Sequence, residues 1–86
     1  MRDIPSAILT DLRLVNWLLE NSMVHLERER LDESREGLAL AATTYSRLAQ
    51  EIDGVGIDSD KAFLLLHLQQ TKQTMNRLEH RLRLLS

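Results

Sequence analysis

From Leu64 to the end of the chain, Leu64, Leu68, Thr71, Met75, Leu78, Leu82 and Leu85 alternate spacings of four and three without a slip. At 3.6 residues per turn such a series falls on one face of a helix, whereas a strand repeats its faces every second residue and would split it. A chain committed to one long amphipathic helix must supply other elements to cover that seam. One proline, Pro5, and three glycines, Gly37, Gly54 and Gly56, leave too little turn chemistry for a strand-and-turn architecture, so those elements are helices as well.

The first helix is expected from about residue 4 to 30. Asp3 is placed to cap it, and Pro5 is tolerated in the first turn, where no backbone donor is needed. Ile8, Leu12, Val15, Leu19, Ser22 and Leu26 line one face. The segment ERERLDESRE, residues 27–36, holds neither glycine nor proline. A break is placed near Leu31 to Ser34, with Asp32 or Ser34 as cap, against the alternative of one helix of about 50 residues.

The second helix, expected over 33–53, carries Leu31, Leu38, Tyr45 and Ile52 seven apart, with Ala42 and Ala49 between. The clearest stop is DGVGID, where Gly54 and Gly56 can take the positive φ that ends a helix. Asp58 caps the third helix, expected over 59–85, and Ile57 and Ala62 are spaced for a hydrophobic staple.

These elements give one domain, 1–86, of all-α class: an up-down-up three-helix bundle with an extra apolar face open to a second copy. In that topology the end of the first helix, the start of the second and the end of the third share a pole. Glu27, Glu29, Asp32, Glu33 and Glu36 are there expected to face Arg77, Arg81 and Arg83.

Several functional classes find no support. His25, His67 and His80 stand in no spacing that sets two ligands on one helical face, so no metal site is read. The carboxylates are expected on solvent faces, without the apolar flanks that raise a pKa for acid–base work. Ser46, Thr43 and Thr44 have no histidine nearby in sequence, so no catalytic residue, no enzyme and no cofactor is read. The absence of cysteine suits a reducing cytoplasm, although secretion or delivery to a host cell is compatible with it.

Asp3, Asp11 and Arg13 interrupt the N-terminal apolar residues, which therefore do not read as a signal peptide, and no apolar run reaches the length of a membrane span. A formal net charge of -2 disfavours general attraction to nucleic acid. The basic end of the third helix, with Lys72, Arg77, Arg81 and Arg83, keeps a nucleic-acid-associated regulator as one alternative. A structural coiled-coil oligomer, pairing Met75 to Leu85 between chains, is the other.

The reading preferred over both is a protein–protein interaction module, an adaptor, chaperone-like protein or inhibitory regulator, that acts by helix-face packing on a protein partner or a second copy. It rests on apolar residues that the core stripes do not use. At about 100° per residue Trp17 lies opposite the first stripe, with Val24 on its side and Leu14 and Leu18 widening the surface. Phe63 and Leu66 form a similar excess at the start of the third helix, and Leu40 opposes Leu38 on the second. Because the first and third helices run parallel, the two excess patches are expected to merge. Leu14, Trp17, Leu18, Val24, Phe63 and Leu66 are the candidate partner-binding residues.

Overall fold

The structure is a computed structural model that describes residues 5–56 and 58–85, and the side chains of these apart from 58–60. Pro5, at φ -55° and ψ 137°, turns the chain into α1 (Ser6–Glu27), and its carbonyl accepts the N–H of Ile8 at 3.0 Å. The expected Asp3 cap, Ile57 of the expected staple and the Asp58 capping side chain lie outside the described residues.

α1 ends at Glu27, one residue past Leu26, the last of its apolar face, and short of the expected residue 30. Arg28 is the C-cap and Glu29 follows with φ 61°. The Arg30 N–H donates to the His25 carbonyl at 2.8 Å and the Glu29 N–H to that of Leu26 at 3.1 Å, the paired reverse bonds of a Schellman motif. A glutamate in the left-handed region thus does the work expected of a glycine, and the break falls at 28–30, not at Leu31 to Ser34.

α2 (Leu31–Asp53) starts at once, with Arg30 as N-cap and no side-chain capping bond. Ser34, an expected cap, sends its hydroxyl elsewhere. Gly54 closes α2 with φ -82°, so no positive φ is used there, contrary to expectation. The Lys61 ammonium of α3 (Asp58–Leu85) donates to the Asp53 carbonyl at 3.1 Å and stitches the second hairpin.

The three helices form the expected up-down-up bundle, 44 × 18 × 17 Å. Its core joins Ile8, Val15, Leu19 and Leu26 of α1 to Leu48 and Ile52 of α2 and to Leu64, Leu68, Met75, Leu78 and Leu82 of α3. The α1 and α3 seams therefore stand, except that Leu12 is half-buried at the edge of the core and Leu85, the last residue of α3, is 56% exposed.

The α2 stripe is rotated from its expected position. Ser34, Ala41, Thr44, Leu48 and Ile52 are buried, while Leu31, Leu38, Tyr45 and Ala49 are half-buried on the flank and Ala42 is exposed. The reason is steric: small side chains let α1 approach α2 closely, so they, and not the larger residues seven apart, take the axis of that contact. Lys72 of α3 lies 5.5 Å from the centre of the Tyr45 ring, which fixes the flank's direction toward α3.

Candidate interaction groove between α1 and α2

The close crossing is built on Ser22, Ser34 and Gly37. The Ser22 hydroxyl donates to the Leu18 carbonyl one turn back at 2.8 Å, and the Ser34 hydroxyl donates across to the Ser22 carbonyl at 2.7 Å. Both serines are fully buried, and a Cβ at Gly37 would stand 2.1 Å from Ser22 Oγ. Pairing these hydroxyls with carbonyls offsets the cost of burying them.

On the side of this crossing away from α3 lies a groove of about 300 Å³. Gly37, Ser22 and Leu18 form its floor, Trp17 and Asn21 rise on the α1 side, Leu40 on the α2 side, and His25, Glu33 and Glu36 close one end. Trp17 is 58% exposed and Leu40 is 52% exposed. The Asn21 amide is held to the Trp17 carbonyl at 2.8 Å, and the His25 Nδ1 sits 3.1 Å from a Glu33 carboxylate oxygen, without the alignment of a hydrogen bond. The groove exists because Gly37 and Ser22 stand on its floor where larger residues would fill it.

Of the six candidate partner-binding residues, Trp17, Leu14, Val24, Phe63 and Leu66 are exposed. Leu18 is not. At 8% exposure it belongs to the core, because the approach of α2 swings the buried arc of α1 toward it. Nor do the patches merge in this site: α1 and α2 alone line the groove, and Phe63 on α3 packs edge-on against its neighbour His67, ring centres 4.6 Å apart. Leu40, a minor exception in sequence, proves to be a wall of the site. The floor residue Gly37 is not among the expected site residues; the one signal for it in the sequence is a lone glycine inside a helical pattern, which marks a packing role.

Further along the crossing, Arg47 of α2 grips Asp11 of α1 with two hydrogen bonds, Nε to Oδ2 at 3.1 Å and Nη2 to Oδ1 at 3.0 Å. The Asp11 side chain is 10% exposed, so this carboxylate is not on a solvent face as expected. The hydrogen bonds from Arg47 hold its pKa below the ordinary aspartate value, against the opposing effect of burial. Glu51 shares the site, and its pKa is raised, first by its hydrogen bond with Asp11 and then by burial. The clamp ties the two helices and takes no part in lining the groove.

The polar ends are organised locally. Glu33 takes His25 and Arg30, Asp32 takes Arg35, and Arg83 takes Glu79 of its own helix. Among the described residues no ion pair joins Arg77, Arg81 or Arg83 to the acidic groups of the shared pole, so the expected facing of opposite charges is not made by contact. The Met75 to Leu82 seam is spent inside the chain, which leaves an intermolecular coiled coil only other faces of α3. Among the described residues no three His, Asp or Glu side chains gather as a metal site, and no helix is long and apolar enough to cross a membrane.

No family model matches the chain, and neither the curated proteins nor the solved structures searched give a match.

Proposed function

We propose that the chain is a helical protein–protein interaction module, an adaptor, chaperone-like protein or inhibitory regulator, that receives a partner's helix in the α1–α2 groove. The observation that carries the reading is Trp17, 58% exposed at the rim of a groove floored by Gly37. Tryptophan is enriched at the centres of interfaces because burying it removes a large apolar area from water at low conformational cost. Here its neighbours across the groove, Leu40 and the edge of Leu18, are apolar too, and helix-in-groove docking uses apolar anchors of this kind.

Groove dimensions agree with this mode. A volume of about 300 Å³ is at the low end for a small-molecule site, open on one side and without converging polar groups on its floor, but it accepts aliphatic side chains projected from a helix. The lack of cysteine leads us to place the protein in the cytoplasm.

The test is retention of partners on the immobilised chain. Trp17→Ala and Leu40→Asp should lose the same partners that Phe63→Ala keeps. An identical retained set for all three variants would overturn the reading.

A further inference from the structure

The groove has an acidic end, and the chain itself carries a surface that complements it. Glu36, exposed at the rim, makes no ion pair among the described residues. On α3, Arg77 and Arg81 are exposed and, among the described residues, also make no ion pair. Leu84, on the same side of α3 at a spacing of i+7 from Arg77, is 71% exposed. We propose that the occupant of the groove is the outer face of α3 of a second copy, with Leu84 seated beside Trp17 and Leu40 and Arg81 against Glu36. The inference rests on the proposed helix-docking function and supplies its partner.

The registers agree. Glu33, Glu36 and Leu40 follow one another at three and four residues on α2, and Arg77, Arg81 and Leu84 at four and three on α3. Each set spans seven residues, about 10.5 Å at the helical rise. Laid parallel, two cations meet two carboxylates and leucine meets leucine. Glu33 is already paired with Arg30 at 3.8 Å, so Glu36 is the carboxylate with most to gain.

Self-docking within one chain is excluded by the fold. Leu64 to Leu82 turn inward, so the outer stripe of α3 faces away from the bundle, while α1 and α2 alone form the groove. The two surfaces are different patches of one molecule, which makes the contact heterologous. Each copy bound through its groove still offers its own α3, and assembly runs past the dimer.

Charge reversal tests this on the full chain. Sedimentation of the wild type from the micromolar to the near-millimolar range should show mass rising beyond a dimer, with a blue shift in the emission of Trp17, the single tryptophan. Glu36→Arg and Arg81→Glu should each weaken association about tenfold or more. The double variant should restore it, and so should an equimolar mixture of the two single variants, because each groove then meets the opposite charge on the other variant's α3 and the two chains alternate along the assembly. Helical content by circular dichroism should be the same for all, since both side chains are exposed.

A wild type that stays monomeric overturns the inference, as does association unaffected by either reversal. So does binding of duplex DNA at low salt through Arg77 and Arg81 without self-association, which would assign these arginines to nucleic acid. The inference can fail in any of these ways while partner retention through Trp17 still succeeds, so its failure is distinct from that of the interaction-module reading.

Discussion

Ser34 Oγ donates a 2.7 Å hydrogen bond to the backbone carbonyl of Ser22, and three residues on, Gly37 passes so close to Ser22 that its own Cβ would collide with the hydroxyl. The crossing thus depends on size as much as on hydrogen bonding. Gly37→Ala gains about 1 kcal/mol of helix propensity, but overpacking a tight contact costs about 1–3 kcal/mol, so a net loss is expected. The same substitution made in a Ser22→Ala background meets no Oγ and should be nearly neutral. Urea unfolding of the two single variants and the double variant measures this coupling; simple additivity would show that the helices separate without cost.

The Asp11, Arg47 and Glu51 cluster makes stability depend on pH in two opposed directions. Asp11, with its pKa lowered by Arg47, contributes stability that is full above its ordinary range and is lost as pH falls through the lowered value. Glu51, with its pKa raised beside Asp11, favours its protonated form when folded. Its contribution is present below the ordinary glutamate range and is lost as pH rises through the raised value. Glu51→Gln should therefore be more stable than wild type at neutral pH, and the advantage should shrink as pH falls toward the carboxylate range. Urea midpoints measured across that interval decide it, and a constant difference would remove Glu51 from the explanation.

Glu29 holds φ 61° at the end of α1, a region that costs a residue with a Cβ about 1–2 kcal/mol. Glu29→Gly relieves that cost and preserves the two reverse hydrogen bonds, which come from backbone N–H groups. Part of the gain is offset by the greater freedom of glycine in the unfolded chain, so about 1 kcal/mol of stabilisation is expected. A rise in Tm for Glu29→Gly, and a smaller one for Glu29→Asn, would confirm that the left-handed turn carries strain.

The long apolar series fixed what sequence could fix. Leu64 to Leu82 and Ile8 to Leu26 predict their buried faces because a large aliphatic residue at every turn has one place to go. α2 was less legible because its contact with α1 runs through Ser34, Gly37 and Ala41, whose burial follows from a neighbour's approach and leaves no hydrophobic signal. The Arg28–Arg30 turn was displaced for a related reason: a glutamate took the position a glycine would have marked. Trp17 was legible by its angle on the helix. The groove beneath it was not, since Gly37 and Leu40 come from another element and their register with α1 is a tertiary fact.

Leu18 and Trp17 adjoin in sequence and line the same groove, yet they should respond oppositely to truncation. Leu18, 8% exposed, is packed into the core, so Leu18→Ala opens a cavity and is expected to cost about 2–5 kcal/mol. Trp17→Ala removes a side chain that is 58% exposed, and its effect on stability should lie nearer the ±0.5 kcal/mol typical of surface positions. The comparison separates packing from recognition. Loss of partner binding in Leu18→Ala follows from loss of the fold, whereas loss in Trp17→Ala at an unchanged urea midpoint can only come from the groove surface. Measuring both midpoints beside both binding responses is the check, and a Trp17→Ala chain that unfolds as readily as Leu18→Ala would return Trp17 to the core.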